Sequence, residues 1–194
     1  MNEEKCNVLP KEQKNNNSCK ELALKDINAF VKARFTEVKK SNKIKELVSF
    51  QATNKFFIMV RSQEELKILG RIVASNNKSN LPEILSEYEK HLNIVLRLCP
   101  TVKTHSNVLM HIFGFFSNEF SDLEKNKFLE LQDNYKKGKS TIGATLAEIH
   151  PMTYRFNKTY LANQSYFLLY ANQEEESIFK ILDKKGVINI GGKT

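Results

Sequence analysis

Apolar residues recur at helical spacing along most of this chain, and no other sequence feature limits its fold as strongly. The first example lies in residues 21–35, where apolar side chains stand about three or four positions apart: Leu22, Leu24, Ile27, Phe30, Val31 and Phe35. This spacing places them on one face of an α-helix. The alternation typical of half-buried strands is scarce. Since 194 residues suit one domain, we predict an all-α fold, a single compact multi-helix domain with a flexible N-terminal tail.

Changes in polarity along the chain suggest its organisation. The predicted segments are a polar tail at 1–20, a leading helix at 21–44, the main helical domain at 45–170, and a C-terminal helix and tail at 171–194. Within the main domain, helices are expected at about 43–74, 82–98, 106–116, 121–138, 140–150 and 158–170, with the last two separated at Pro151. Residues 186–192 fit either a short strand or a disordered end.

Local signals mark several helix ends. Pro82 suits the first turn of a helix, where its missing N–H has no partner to lose. Ser121 and Glu124 have the spacing of a capping box, in which a hydroxyl and a carboxylate bond the free N–H groups. Gly138 fits the position just after a helix, which favours a positive φ. These signals predict where individual helices begin and end.

Basic residues are distributed unevenly. The formal net charge is +8, and residues 31–71 hold ten Lys or Arg against four Asp or Glu. Concentrated positive charge is typical of proteins that bind phosphates, and equally of a solvated helix face. No run reaches the roughly 18 apolar residues of a membrane span, and the polar N-terminus does not fit a signal peptide. We therefore expect a cytoplasmic protein that makes no membrane contact.

One group of cations lies in this basic stretch. Lys67 and Arg71 are four residues apart and share the polar face of a predicted helix, with Arg61 near its edge. Arginine can grip a phosphate through two parallel hydrogen bonds, so Arg61 and Arg71 are the stronger candidates. The alternative is an exposed face paired with Glu64 and Glu65. Charge alone does not separate these two interpretations.

Further candidates follow in the second half of the chain. Residues 135–139 place three lysines around a helix C-terminus, where the helix dipole favours cations and where they could also line a groove for a polyanion. Tyr160, Asn163, Gln164 and Tyr166 combine aromatic rings with amides. Such a mixture can stack on and read unpaired bases, although tyrosines at helical spacing also occur in cores.

A histidine-containing segment is the densest polar group within an apolar stretch. Asn107 and His111 share a helix face, whereas His105 and His111 are six residues apart and point to different sides. This spacing disfavours a chelating pair, and the three cysteines lack the CxxC spacing of a zinc ribbon. We expect no metal and no cofactor. A buried structural histidine and a residue that bonds RNA remain alternatives for this group.

Four stretches resemble a known family when they are taken together. They are 55–75 (KFFIMVRSQEELKILGRIVAS), 105–116 (HSNVLMHIFGFF), 134–139 (NYKKGK) and 159–170 (TYLANQSYFLLY). In this order and spacing they are similar to the YbgA-like domain of unknown function, over about residues 45–170. Two positions depart from the family pattern: Val60-Arg61-Ser62 stands where Ala-His-Ser is usual, and Gln51 stands where a histidine is expected.

The resemblance implies contact with RNA. Relatives in which this domain follows a thiouracil-desulfidase-like domain are implicated in removing sulfur from tRNA, and the YbgA-like half is thought to hold the RNA. We therefore expect a module that binds a structured RNA such as tRNA and supports a modification or de-modification activity of a separate desulfidase-like or other enzyme. An enzyme that uses His105, Asn107 and His111 with Gln164 is one alternative, and a protein-interaction adaptor is another.

The residues expected to contact the nucleic acid come from all of these groups. They are Arg61, Lys67, Arg71, Lys103, His105, Asn107, His111, Lys136, Lys137, Lys139, Asn163, Gln164 and Tyr166. No catalytic residue is assigned.

Overall fold

The computed structural model describes residues 24–75 and 80–171, and these residues form helices and connecting turns without a strand. The helices are α1 (Leu24–Ser41), α2 (Ile44–Thr53), α3 (Lys55–Arg61), α4 (Gln63–Ala74), α5 (Leu81–Arg97), α6 (Val102–Gly114), α7 (Asp122–Lys136), α8 (Ile142–Arg155), α9 (Thr159–Ala162) and α10 (Ser165–Tyr170). The predicted all-α fold is confirmed. The expected tail at 1–20 lies outside the described residues. So do the C-terminal helix and tail expected at 171–194, apart from Ala171, and the strand or disordered end expected at 186–192.

Helix α3 is the centre of the fold. Every residue from Phe56 to Arg61 is buried, which is expected only of a helix that other elements surround on all sides. It packs against α2, α4, α5, α6 and α10. The leading helix α1 joins the same core, since the ring of Phe35 stacks on that of Tyr88 in α5 with 5.3 Å between centroids. One hydrophobic core therefore extends from α1 to α10.

The local signals are confirmed where they can be checked. Pro82 lies in the first turn of α5, whose N-cap Asn80 accepts a hydrogen bond from the Glu83 amide. Ser121 and Glu124 form a reciprocal capping box at the start of α7. Gly138 follows this helix with φ of 68°, a conformation that glycine adopts without strain.

Several predicted helix bounds are wrong. The helix expected from residue 106 begins at Val102, and the helix expected at 158–170 is two helices, α9 and α10. The helix expected at 43–74 is three helices, α2 to α4, which are interrupted at Asn54 and Ser62. Ser62 has extended backbone and its hydroxyl accepts a hydrogen bond from the Glu65 amide, so it starts a new helix. The break expected at Pro151 is also absent, because α8 continues through this proline to Arg155. The chain turns instead at residues 156–158.

Candidate nucleic-acid interface

A groove of about 550 Å³ runs between α6 and α7, and it brings together three of the predicted contact residues. Lys103 and Asn107 stand one helical turn apart on α6, and Lys136 is the last residue of α7. The start of α6 and the end of α7 lie side by side here, and the Gln132 side-chain amide of α7 donates to the Ser106 carbonyl of α6 at 3.0 Å. Val102 and Met110 add apolar surface to the groove.

The two lysines of this groove are not paired with a carboxylate of any described residue. Lys103 and Lys136 are exposed and form no ion pair with a described residue, and the groove lining contains no carboxylate. The neighbouring Lys137 differs, since its amine lies 2.6 Å from a carboxylate oxygen of Asp133. Lys139 is exposed just after Gly138. The groove therefore presents uncompensated positive charge to solvent.

Arg61 lies in the core and not at the edge of a polar face. It is the last residue of α3, and only 6% of its surface is exposed. Its Nη1 donates to the carbonyl oxygens of Val95 and Leu96 at the end of α5, and its Nε donates to the Tyr170 hydroxyl. The guanidinium also lies over the Phe57 ring at 4.6 Å. Arg61 is a core residue in this structure, with no surface for a phosphate.

His105 and Tyr166 are also in the core. The imidazole Nδ1 and the phenol oxygen lie 2.7 Å apart in a hydrogen bond, and Tyr166 is fully buried. Burial, followed by the nearby charge of Arg61, lowers the pKa of His105 to about 3. The histidine is therefore neutral at physiological pH and too weakly basic for general base catalysis there. A base cannot stack on Tyr166 in this arrangement.

Gln164 connects the last helix to the middle of the chain. Its side-chain amide donates to the Ala52 carbonyl at 2.8 Å, and its Oε1 accepts from the Phe56 amide at 3.3 Å. These bonds satisfy backbone groups at the junction of α2 and α3. Its neighbour Asn163 is exposed. Gln164 thus has a structural role, and only Asn163 remains open to solvent.

The remaining candidates lie on other surfaces. Lys67 and Arg71 are exposed on α4, which packs against α2, α3 and α5, so they do not share the α6–α7 groove. His111 is exposed to solvent on α6, whereas His105 on the same helix is buried in the core. The structure therefore does not combine His105 and His111 into one site.

An exposed pair of aromatic rings was not predicted as a unit. Tyr160 of α9 stacks on Phe115 at the end of α6, with ring centroids 5.8 Å apart and planes 25° apart. Both residues are about two-fifths exposed, at 40% and 39%. The sequence indicated Tyr160 as a possible base contact, but Phe115 looked like one more apolar residue of its helix. Solvent-exposed rings of this kind can stack an unpaired base.

The described residues contain neither a metal-binding cluster nor a membrane-crossing helix. No group of three or more His, Cys, Asp or Glu there is arranged to hold a metal ion. His91 hydrogen-bonds with Glu65 instead, at 2.8 Å. Within residues 24–75 and 80–171, no helix has both the length and the apolar character that crossing a membrane requires.

The chain is similar to a known family and to a bacterial relative. A family model described as a protein of unknown function (DUF1722) matches residues 55–171, which is more than half of the chain. A relative, the "Uncharacterized protein YbgA" of Escherichia coli (strain K12), is 27% identical over 125 residues, covering 64% of this chain and 74% of the relative. No solved structure matches the chain significantly. The matched region agrees closely with the resemblance over residues 45–170.

Proposed function

The chain belongs to the YbgA-like family, described as a family of unknown function (DUF1722), and from the α6–α7 groove we propose that it is an RNA-binding module. The RNA is a structured one such as tRNA. A separate chain, such as a desulfidase-like enzyme, supplies the chemistry that modifies or de-modifies it. The family resemblance supports this division of roles. The burial and low basicity of His105 also favour binding over catalysis.

One observation carries the proposal: Lys103 and Lys136 line the same groove with their charges uncompensated by any described carboxylate. Each phosphate that a lysine neutralises releases condensed counterions, so such contacts give affinity that falls steeply with salt. Half-buried Asn107 and exposed Met110, farther along α6 than Lys103, can contact sugar or base. The aromatic pair Phe115 and Tyr160 offers a second contact for an unpaired base.

The test measures the affinity for tRNA as a function of salt. In the double variant Lys103→Gln/Lys136→Gln, the slope of log affinity against log salt should flatten by about 1.4–1.8 if each lysine contacts one phosphate. The matched control is Lys127→Gln/Lys137→Gln, which removes the same net charge from lysines that are paired with Glu148 and Asp133. This control should change the slope less.

Three results bear on the proposal. Failure of the wild-type protein to bind any RNA would overturn it. An equal change of slope in both double variants would assign the affinity to overall charge, and the groove would lose its role. Salt-sensitive capture of an acidic protein in place of RNA would favour the adaptor alternative.

A further inference from the structure

The floor of the α6–α7 groove contains a buried hydroxyl that lacks a partner. Ser106 lines the groove with only 6% of its surface exposed, and its Oγ makes no hydrogen bond to any described residue. Its backbone carbonyl, in contrast, accepts from Gln132. Buried hydroxyls are normally hydrogen-bonded, because an unpaired one loses its interaction with water without replacement. Rotation of the Ser106 side chain towards the groove would allow a ligand to supply the missing partner.

The groove changes character along its length. Lys103 and Lys136 place two positive charges at one end, and Met110, 42% exposed, places an apolar side chain at the other. Met110 lies seven positions after Lys103 in α6, which corresponds to about 10 Å along the helix. Asn107 lies between them and carries both a donor and an acceptor.

These features fit a ligand with an anion at one end and a flat, weakly polar body. The groove is wide open to solvent, so a ligand would lie across it and would not be enclosed by it. A phosphate suits the two lysines, and the absence of a carboxylate from the lining favours an anion over a cation. A base or ribose suits the Asn107 amide, which can bond a base edge or a hydroxyl group.

We propose that the α6–α7 groove binds a single nucleotide unit, with its phosphate between Lys103 and Lys136 and its nucleoside over Asn107 and Met110. The Ser106 hydroxyl then hydrogen-bonds the ligand on the groove floor. This inference deepens the proposed RNA function and rests on it. A free nucleotide and a nucleotide within an RNA strand share this chemistry, and the experiment separates them.

The experiment compares defined probes by calorimetry and by amide chemical shifts. The probes are the four nucleoside 5′-monophosphates, the matching nucleosides, inorganic phosphate and a short single-stranded RNA. At least one monophosphate should bind about tenfold more tightly than its nucleoside or than phosphate, because both ends of the groove contribute. The shifts should be confined to α6 and α7. If phosphate binds as tightly as every nucleotide, the groove is a simple anion site and the proposal fails.

A serine variant separates ligand binding from folding. Ser106→Ala should weaken nucleotide binding by about tenfold while its melting temperature stays the same or rises, since the variant removes a hydroxyl that is unpaired in the free protein. Ser117→Ala is the matched control. Its hydroxyl bonds the Gly114 carbonyl outside the groove, and nucleotide affinity should not change. Unchanged affinity in Ser106→Ala would remove this hydroxyl from the site and contradict the proposal.

Competition between a nucleoside monophosphate and RNA shows whether the groove holds a free nucleotide or a nucleotide of an RNA strand. It also tests the nucleotide site separately from the RNA function. If the monophosphate displaces the RNA, the groove holds a nucleotide of the strand. If the monophosphate binds in the groove and RNA does not bind at all, the nucleotide site stands and the RNA function fails. If RNA binds while no nucleotide shifts α6 or α7, the RNA function stands and the nucleotide site fails.

Discussion

Arg61 donates a hydrogen bond from Nη1 to the carbonyl oxygen of Leu96, 3.3 Å away, at the C-terminal end of α5. The last carbonyls of a helix have no partner within the helix and carry partial negative charge. Arg61 donates to the oxygens of Val95 and Leu96 through Nη1 and to the Tyr170 hydroxyl through Nε, while its buried Nη2 has no hydrogen-bond partner among the described residues. Asn28 of α1 donates to the same Leu96 oxygen at 2.8 Å. The end of α5 is thus where α1, α3 and α10 are joined.

Replacing Arg61 should therefore destabilise the fold. Arg61→Gln removes the guanidinium bond to the Tyr170 hydroxyl and one of two donors to each of the Val95 and Leu96 oxygens, which keep the Leu98 amide and the Asn28 amide. Hydrogen bonds from a charged group contribute about 1.5–3 kcal/mol each to stability. We expect a loss of about 2–3 kcal/mol in the free energy of unfolding, measured with urea. Arg61→Lys should recover only part of it, because one amine cannot reach acceptors in three directions.

The exposed residues Lys67 and Arg71 are the comparison for the buried Arg61. Both are exposed on α4, so Lys67→Gln/Arg71→Gln should change the free energy of unfolding by less than about 0.5 kcal/mol. The sequence alone grouped these two residues with Arg61 as one polar face. Equal destabilisation by the two sets of substitutions would contradict the burial of Arg61.

The sequence predicts a structural feature best when the interaction that produces it lies within a few residues. Pro82 and the Ser121–Glu124 pair act within one turn, and the structure confirms both. The start of α4 also had a local signal, a serine at 62 followed by a glutamate at 65, but the apolar spacing continued across it and hid the break. The groove could not be assembled in advance, because Lys103 and Lys136 meet only through the packing of α6 on α7.

Burial is the other property that the sequence could not supply. From the sequence alone, a histidine, a tyrosine or a glutamine in a binding site cannot be distinguished from one in a core. His105, Tyr166 and Gln164 face inward only because α3, α6 and α10 meet around them. The roles of the two residues that depart from the family pattern also depend on contacts with distant parts of the chain. Arg61 bonds the end of α5, and Gln51 accepts a hydrogen bond from Tyr88 at 2.5 Å.

The protein should lose stability in mild acid because of His105. Its pKa is about 3 in the folded chain and near 6.5 when unfolded, so between these values the unfolded chain binds one more proton. Stability is therefore fully present above about pH 6.5 and falls as pH decreases, by up to about 1.4 kcal/mol per pH unit from this one group. Urea unfolding at intervals from pH 7.5 to 4.5 measures the slope.

Two histidine variants check the assignment. His105→Gln should lower stability at neutral pH and flatten the pH dependence, because glutamine does not titrate. His111→Gln, at an exposed site, is the control for the substitution itself and should change the stability at neutral pH by less than about 0.5 kcal/mol. A slope that is the same in the wild type and His105→Gln would mean that His105 is not the group responsible.

Gln164 and Asn163 form a matched pair for separating structural from surface roles. Gln164→Ala should reduce the free energy of unfolding by about 1–3 kcal/mol, because it leaves the Ala52 carbonyl and the Phe56 amide without partners. Asn163→Ala should cost less than about 0.5 kcal/mol. Thermal unfolding followed by circular dichroism compares them. A stable Gln164→Ala variant that has lost RNA affinity would instead indicate direct contact with the ligand.

The exposed rings of Tyr160 and Phe115 give a test of base contact that does not depend on charge. An unpaired base that stacks on an aromatic side chain contributes about 1–3 kcal/mol to binding. Tyr160→Ala should therefore weaken RNA binding by that amount and keep the salt slope, because no cation is lost. Tyr160→Phe keeps the ring and should keep the affinity. Tyr154→Ala removes another exposed tyrosine, on α8, and should have no effect. Equal losses in the two alanine variants, or none at Tyr160, would remove the ring pair from the interface.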